Sequence, residues 1–257
     1  MDYTTELRRM YLDLIKNSII GLISEDEPTV VFPIPGYIDK QPQGFNRKWR
    51  EWGRDCPSRA HSMIGKRRMD NIQSCVEQAL AANVPGDLIE TGVWKGGATI
   101  FMRAILKAHQ VRDRYVWVAD SFEGLPAPES SRYPDDATFE RWQGSICIPL
   151  EMVQHHFELY GLLDEQVRFL KGWFKDTLPV APIDRLAVIR LDGDYYQSTM
   201  EALVSLYPKL SPGGFLIVDD YFALPACRNA VDDYRATHGV GEELQDIDGT
   251  AIYWRKE

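Results

Sequence analysis

The stretch from Asp87 to Gly97, DLIETGVWKGG, constrains the fold of this chain more than any other feature. Its apolar run carries Glu90 near its end and then breaks into glycines, which predicts a strand, a tight turn and the start of a helix. Gly92 permits the sharp turn, and Gly96 or Gly97 lets a ligand approach the backbone at the helix N-terminus. The stretch therefore predicts a nucleotide-type site, with a plain strand–helix turn as the alternative.

Strands and helices alternate from this stretch to the C-terminus. The predicted strands are rich in Val, Ile and Leu without strict alternation, as expected for strands that are buried on both faces. They are Leu88 to Val93, Tyr115 to Ala119, Val167 to Leu170, Leu186 to Leu191 and Phe215 to Val218, with an edge hairpin from Glu243 to Ile247 and Thr250 to Arg255. The predicted helices run from about Gly97 to His109, Ser198 to Tyr207 and Ala226 to His238. This order predicts an α/β fold with a doubly wound, Rossmann-like sheet.

Acidic residues follow three later strands, at Asp120, at Asp192 and Asp194, and at the pair Asp219 and Asp220. Because parallel strands end at the same edge of a sheet, these carboxylates are expected to gather at one site. Asp120, one βαβ unit after the first strand, can accept hydrogen bonds from ribose hydroxyls, or it can cap a helix. Acids at the last two strand ends can share a cation, and oxygen ligands without His or Cys favour Mg²⁺. Solvated acids that cap the following helices are the alternative.

The first motif also indicates the charge of the ligand. Its spacing, Glu90-x-Gly92-x-x-x-Gly96, differs from the Gly-x-Gly-x-x-Gly fingerprint of dinucleotide-binding proteins. Glu90 would set a carboxylate against the pyrophosphate of NAD, at an electrostatic cost. A ligand with sulfonium and ammonium charges, such as S-adenosylmethionine, suits the motif better.

Composition excludes several classes of protein. A chain of 257 residues favours one compact domain, which we divide into residues 1–84, with N-terminal helices and an acceptor-side lid segment, and residues 85–257, the ligand-binding core. The net charge of -9 argues against a nucleic-acid partner.

Four scattered cysteines indicate a reducing compartment. The most apolar N-terminal piece, Leu12 to Ile23, is too polar for a membrane span. We expect a cytoplasmic protein without a membrane partner.

The N-terminal third contains two predicted helices, Tyr3 to Ile23 and Lys66 to Ala82, around an irregular segment from Glu25 to Pro57. This segment is either a mobile lid or a packed loop. A second polar insertion follows Gly124 and includes Glu129 to Asp136, where a long loop is typical of a binding role. Met63 is placed to face a cofactor. Packing is the favoured role for His61, and packing or surface roles for His155 and His156.

Taken together, these residues resemble the macrocin-type (TylF/MycF) sugar O-methyltransferases of antibiotic biosynthesis, from about Tyr11 to the C-terminus. The segments that carry the resemblance are Ala60 to Gly65, Pro85 to Gly97, Trp117 to Gly124, Tyr160 to Asp164, Gly172 to Pro179, Asp192 to Asp194, Leu210 to Gly214 and Asp219 to Tyr221. The chain departs from the family pattern between Glu25 and Trp52 and between Glu129 and Ile148, where the family builds its acceptor pocket.

The resemblance implies a residue-by-residue assignment of the site. S-adenosylmethionine would be held by Glu90, Thr91 and Gly92, its ribose by Asp120 and Ser121, and its adenine near Gly172, Trp173 and Asp176. Mg²⁺ would be held by Asp192, Asp219 and Asp220, and Asp194 would be the general base. The residues alone predict that these acids form a cluster, and their separate roles follow from the resemblance.

The sequence therefore predicts a Mg²⁺-dependent O-methyltransferase that uses S-adenosylmethionine and acts on a hydroxyl of a deoxysugar attached to a natural product. The enzymatic alternative is a catechol-type O-methyltransferase that acts on an aromatic diol. The alternative outside enzymes is a regulatory protein that binds S-adenosylmethionine. The resemblance and the apolar N-terminal helix indicate a homodimer or larger homo-oligomer.

Overall fold

A computed structural model describes residues 3–34, 41–128, 136 and 146–257. The helices are α1 (Tyr3–Ile19), α2 (Arg47–Glu51), α3 (Gly65–Ala81), α4 (Gly97–Ala108), α5 (Leu150–Leu159), α6 (Phe174–Thr177), α7 (Tyr196–Leu206) and α8 (Pro225–His238). The strands are β1 (Pro28–Val31), β2 (Asp55–Pro57), β3 (Asp87–Thr91), β4 (Val116–Asp120), β5 (Val167–Lys171), β6 (Leu186–Leu191), β7 (Leu210–Val218), β8 (Gln245–Asp246) and β9 (Ile252–Arg255).

The main sheet has the strand order β5-β4-β3-β6-β7-β9-β8, and its first five strands are parallel. The order reverses between β3 and β6, because β4 and β5 lie on one side of β3 while β6 and β7 lie on the other. In open α/β sheets, ligands bind in the crevice beyond the carboxyl ends of the strands at such a reversal. The sheet confirms the predicted doubly wound, Rossmann-like fold.

Apolar cores cover both faces of the sheet. One core joins residues of α1, α3, α4 and α5 to alternate residues of the central strands, such as Leu88, Val118 and Val188. The other joins α7 and α8 to the remaining residues of the same strands, such as Ile89 and Ile189. Every residue of β6 is buried, which explains why its sequence lacks alternation. The sheet is thus held between two layers of helices, which keep the strand ends of the predicted site in place.

Several element boundaries differ from the sequence prediction. α1 ends at Ile19, because Gly21 adopts a left-handed φ of 69° and turns the chain. β7 begins at Leu210, where Leu210 pairs with Leu186 of β6. The register shifts after this pair, and regular pairing continues from Phe215, which pairs with Val188. The predicted edge hairpin is present, but β9 lies between β7 and β8, so β8 is the edge strand on this side of the sheet.

The segment predicted as a lid or loop contains short elements. Strands β1 and β2 pair antiparallel as a small separate sheet, and α2 lies between them in the chain. Asn46 caps α2 by accepting hydrogen bonds from the N–H groups of Lys48 and Trp49. Residues 35–40 of this segment, and most of the predicted polar insertion after Gly124, lie outside the described residues.

Candidate active site

Glu90 lies at the end of β3, at the reversal of strand order. Its side chain is buried, and Oε1 accepts a hydrogen bond from the guanidinium of Arg190 on β6. Its Oε2 is buried and has no hydrogen-bond partner within the described residues. Burial raises the pKa of Glu90 to about 8 even though Arg190 opposes the shift. The site therefore presents a buried acceptor that a cationic ligand would satisfy.

Gly92 has a left-handed φ of 81°, as the tight turn requires, and a Cβ there would lie 1.8 Å from the carbonyl oxygen of Asp192. Gly96 also has a positive φ, but a Cβ there would meet Val153 of α5. A Cβ at Gly97 would meet the carbonyl oxygen of His61. Protein atoms therefore lie close to the backbone at all three glycines. Their proximity explains why glycine is needed at these positions, even without a bound ligand.

Asp120 ends β4 with its carboxylate turned toward the same turn. It accepts hydrogen bonds from the N–H of Val93 (2.7 Å) and the N–H of Phe122 (2.8 Å). Burial raises its pKa, although these N–H groups favour the charged form. The hydroxyl of Ser121 donates to the carbonyl oxygen of Gly124 (2.7 Å). Asp120 therefore ties the β4 end to the β3 turn, and its role at a ribose stays a prediction.

Asp192, Asp194 and Asp220 form the acidic cluster of the site. One carboxylate oxygen of each lies within 4.8 Å of the others. Burial raises the pKa of Asp194 to about 8, with further contributions from the charges of Asp192, Asp219 and Asp120. Burial and the neighbouring acids also raise the pKa of Asp220 well above its ordinary value. Such mutual repulsion is relieved by protonation or by a cation.

Asp219 has a different environment from this cluster. Its two carboxylate oxygens accept hydrogen bonds from separate guanidiniums, one from Arg190 and the other from Arg68 of α3. Burial alone would raise the pKa of Asp219, but the two guanidiniums hold it below its ordinary value. The structure thus brings Asp192 and Asp220 together with Asp194, while Asp219 adjoins them as part of an ion network. Its role as a metal ligand stays a prediction.

A cavity of about 1090 Å³ opens over these strand ends. The predicted site residues that line it are Met63, Glu90, Gly92, Asp120, Ser121, Gly172, Trp173, Asp192, Asp194, Asp219 and Asp220. All predicted site residues lie in the described part of the chain, and three of them, Thr91, Gly96 and Asp176, lie outside the lining. Thr91 is fully buried, and Asp176 is exposed on α6. Their assignment to the cofactor stays a prediction.

Sequence reasoning missed the arginines of this site. Arg190 interrupts the apolar run of β6, and a charge inside a strand that is buried on both faces was the available signal. Arg68 and Arg54 carried no comparable signal, because each lies in a polar context. The guanidinium of Arg54 also lines the cavity and donates to the hydroxyl of Thr250.

His61 lines the cavity beside α5. Its Nδ1 lies 2.9 Å from the hydroxyl of Tyr160, and its ring centroid lies 4.2 Å from that of His156. Burial, with the neighbouring His156 and Lys95, lowers the pKa of His61 to about 4. The ring is therefore neutral at physiological pH. His61 both packs, as expected, and faces the cavity.

The reversal of strand order, with acids gathered in one cavity at that point, is the arrangement of a Rossmann-like ligand-binding fold. A calicheamicin methyltransferase, CalS11, has this fold at 20% identity with a TM-score of 0.60, and the match covers 76% of this chain and 80% of that one.

Closer relatives identify the family. The family model for macrocin O-methyltransferase (TylF) matches residues 8–256. The chain is 54% identical over 254 residues to 8-demethyl-8-(2,3-dimethoxy-alpha-L-rhamnosyl)-tetracenomycin-C 4'-O-methyltransferase of Streptomyces olivaceus, covering 98% of this chain and 94% of the relative. It is 51% identical to mycinamicin III 3''-O-methyltransferase of Micromonospora griseorubida, covering 96% of each. The solved O-methyltransferase NovP matches with a TM-score of 0.89 at 49% identity, covering 97% of this chain and 99% of that one.

The chain therefore belongs to the macrocin O-methyltransferase (TylF) family, as its motifs predicted, and is an O-methyltransferase. Among the described residues, no helix is both long enough and apolar enough to cross a membrane.

Proposed function

We propose that this enzyme transfers the methyl group of S-adenosylmethionine to a hydroxyl of a deoxysugar attached to a natural product, with a divalent cation, Mg²⁺, at the acidic cluster. The observation that carries the proposal is the cluster of Asp192, Asp194 and Asp220 in the same cavity as the unsatisfied carboxylate oxygen of Glu90. Relatives that share about half of its residues over nearly the whole chain are named as O-methyltransferases of a rhamnosyl-tetracenomycin, of mycinamicin III and of demethyldecarbamoylnovobiocin.

The cofactor half of the cavity suits S-adenosylmethionine. The unpartnered Oε2 of Glu90 would accept a hydrogen bond from the ammonium group, which would relieve a buried unsatisfied oxygen. Asp120 and Ser121 line the same cavity and would hold the ribose, while Gly172 and Trp173 would border the adenine, as in the family. Met63 lies on the wall of this cavity as well.

The acidic cluster suits a hard divalent cation. Its ligands are all carboxylate oxygens, which Mg²⁺ prefers. Burial first, and then repulsion from neighbouring acids, raises the pKa values of Asp194 and Asp220. Asp192 and Asp220 would hold the ion, together with Asp219 as the family implies or Asp194 as their spacing allows. When bound, the cation would supply Lewis-acid polarisation that lowers the pKa of a coordinated hydroxyl.

The chemistry of the chain itself centres on Asp194. Its carboxylate would accept the proton of the acceptor hydroxyl, and the resulting oxygen nucleophile would attack the sulfonium methyl in line. The carbon–sulfur bond breaks as the carbon–oxygen bond forms, so the cofactor leaves as neutral S-adenosylhomocysteine.

The first experiment is calorimetric titration of the protein with S-adenosylhomocysteine, which needs no acceptor. Binding near 1 μM, about -8 kcal/mol, is the expected result. Activity would then be assayed with deoxysugar glycosides, with and without Mg²⁺, beside aromatic diols as the catechol-type control. Turnover of diols alone would replace the sugar assignment, and cofactor binding without turnover of any acceptor would favour a regulatory protein.

A further inference from the structure

Arg190 is a buried cation at the centre of the sheet. Its side chain is 1% exposed, and it lies on β6 in a strand with no exposed residue. Burial of a guanidinium costs free energy unless carboxylates and hydrogen bonds compensate that cost. The partners of Arg190 therefore explain how a charged side chain is tolerated inside the sheet. Those partners all lie at the candidate active site.

The guanidinium of Arg190 contacts carboxylates from three strand ends. Nη1 donates to Glu90 at the end of β3 and to Asp192 just beyond β6, at 2.8 Å for Asp192. Nη2 donates to Asp219 just beyond β7. Arginine suits this position because its planar fork directs several N–H groups in fixed directions, whereas a lysine offers one point of charge. Arg190 thus sets the relative positions of three acids.

Arg68 extends the network away from the cofactor side. It donates to the second oxygen of Asp219, and its Nε lies 3.0 Å from Oδ2 of Asp248 in the turn before β9. Its Nη2 donates to the carbonyl oxygen of Gly53 at 3.2 Å. Asp219 is therefore held between two guanidiniums, and only Arg190 also reaches Glu90 and Asp192.

Carboxyl groups outnumber basic side chains around the strand ends that border the cavity. Its lining includes six carboxyl groups near the strand ends, those of Glu90, Asp120, Asp192, Asp194, Asp219 and Asp220. The buried Arg68 and Arg190, together with Arg54 on the cavity wall, supply three positive charges among them. Cationic ligands would stabilise the charged forms of the remaining acids. Arg190 links the carboxylates at three strand ends.

We propose that Arg190 is a positioning residue that holds Glu90 toward the cofactor and Asp192 toward the cation. This inference rests on the proposed function, because it assigns those two ligands to the two carboxylates. Supporting residues of this kind typically change metal affinity or activity by about 10-fold to 100-fold when they are replaced.

The test compares Arg190→Lys with the wild-type protein by calorimetric titration with S-adenosylhomocysteine and, separately, with Mn²⁺ as the probe for the cation site. The lysine keeps the charge and removes the fork. The expected result is a rise of about 10-fold or more in both dissociation constants. Unchanged affinities in the folded Arg190→Lys variant would overturn the proposal.

The matched control is Arg103→Lys. Arg103 is also buried and pairs with Asp164 at 2.7 Å, but it lies outside the cavity lining. Its replacement should lower the melting temperature without changing either affinity. Equal losses of affinity in both variants would indicate a general structural effect and would also overturn the positioning role.

A second variant tests the same proposal if Arg190→Lys does not fold. Arg190→Met combined with Asp219→Asn removes one charge of each sign, so it leaves fewer unpaired buried charges. It should still weaken S-adenosylhomocysteine binding by about 10-fold, whereas Asp219→Asn alone should not. Retained cofactor affinity in the double variant would contradict the proposal. If the wild-type protein binds neither probe, the proposed function fails as well, and the two failures are distinguishable.

Discussion

At the scale of single residues, Asp194 combines two unusual properties. Its φ of 57° lies in the left-handed region that non-glycine residues rarely adopt. Its carboxylate lies in the acidic cluster with a pKa raised to about 8, first by burial and then by nearby acids. Backbone strain of this kind is typical of functional positions, where the surrounding structure holds it in place. Both properties cost stability, as is typical of a residue that is held in place for a catalytic role.

Replacement of Asp194 by Asn should separate catalysis from cofactor binding. Asn tolerates the left-handed conformation and keeps the size of the side chain, but it cannot accept the proton. We expect kcat to fall by about 100-fold to 10,000-fold. The dissociation constant of S-adenosylhomocysteine should stay within about threefold, because Asp194 is assigned no cofactor contact. Kinetics with the acceptor and calorimetry with S-adenosylhomocysteine measure the two quantities.

Asp184→Asn is the matched control for this prediction, since the Asp184 side chain is 95% exposed. It should leave both kcat and cofactor affinity unchanged. Wild-type turnover by Asp194→Asn would remove Asp194 from the role of general base and would point to another acid of the cluster.

At the scale of elements, the turn after β3 depends on Gly92. An alanine there would have to adopt a φ of 81° and place its Cβ 1.8 Å from the carbonyl oxygen of Asp192. The left-handed φ costs about 1–2 kcal/mol, and the overlap between β3 and the end of β6 adds about 1–3 kcal/mol. We therefore expect Gly92→Ala to lower the free energy of unfolding by about 2–5 kcal/mol, measured by denaturant titration.

Gly161→Ala separates the two contributions. Gly161 has a comparable φ of 63°, but a Cβ there would meet no atom within 4 Å. Its loss of stability should therefore be only about 1–2 kcal/mol. Equal losses in the two variants would mean that the close approach of β3 to β6 is not important for stability.

The segment around His61 should make stability depend on pH. Burial lowers the folded-state pKa of His61 to about 4, below the value of about 6.5 in an unfolded chain. As pH falls from 6.5 to 4, the unfolded chain binds a proton that the folded protein does not, so the free energy of unfolding decreases. Allowing for partial exposure to solvent, we expect His61 to contribute a loss of about 1 kcal/mol between pH 7 and pH 5.

His61→Asn tests this prediction, because Asn does not titrate in this range and can still bond to Tyr160. Denaturant titrations at pH 7 and pH 5 should show a smaller decrease for His61→Asn than for the wild type. His155→Asn is the control, since the His155 side chain is 61% exposed and pairs with Glu158. If all three proteins lose the same stability, the fold does not keep His61 neutral.

The central elements of this fold were predictable from the sequence, and the ion network was not. Short apolar runs and the glycines after Glu90 specify β3 and its turn through local conformational preferences, which a sequence shows directly. The pairing of Arg190 with three strand ends depends on the strand order, which no local pattern encodes. The position of β9 between β7 and β8 also depends on contacts between residues that are far apart in the sequence. The sequence therefore identified the acids of the site but not the cations that arrange them.

At the scale of the whole molecule, helix α1 leaves one apolar face open to solvent. Tyr3, Leu7, Met10 and Leu14 recur at spacings of four, three and four residues and are between 45% and 74% exposed. The opposite face, including Leu12 and Ile19, is buried in the core beside α4. This spacing is that of a helix–helix seam, so the open face fits the homo-oligomer that the sequence predicted.

We expect the protein to form a homo-oligomer through this face. Burial of the open stripe between two copies would remove apolar area from water, whereas a pair of facing carboxylates would oppose association. The combined change Leu7→Glu with Leu14→Glu should therefore convert the protein to monomers, measured by light scattering during size-exclusion chromatography. Val180→Glu with Val204→Glu adds the same charge at exposed valines elsewhere and should leave the oligomer intact.

Binding at the proposed cofactor site provides a further check of this prediction. The residues proposed to hold the cofactor, such as Glu90, Asp120 and Trp173, share one cavity within a single copy, so the monomeric variant should still bind S-adenosylhomocysteine with wild-type affinity. A wild-type protein that is monomeric at tens of micromolar, or a double α1 variant that remains oligomeric, would rule out α1 as the seam. Loss of cofactor binding together with dissociation would instead show that a neighbouring copy supports the cavity.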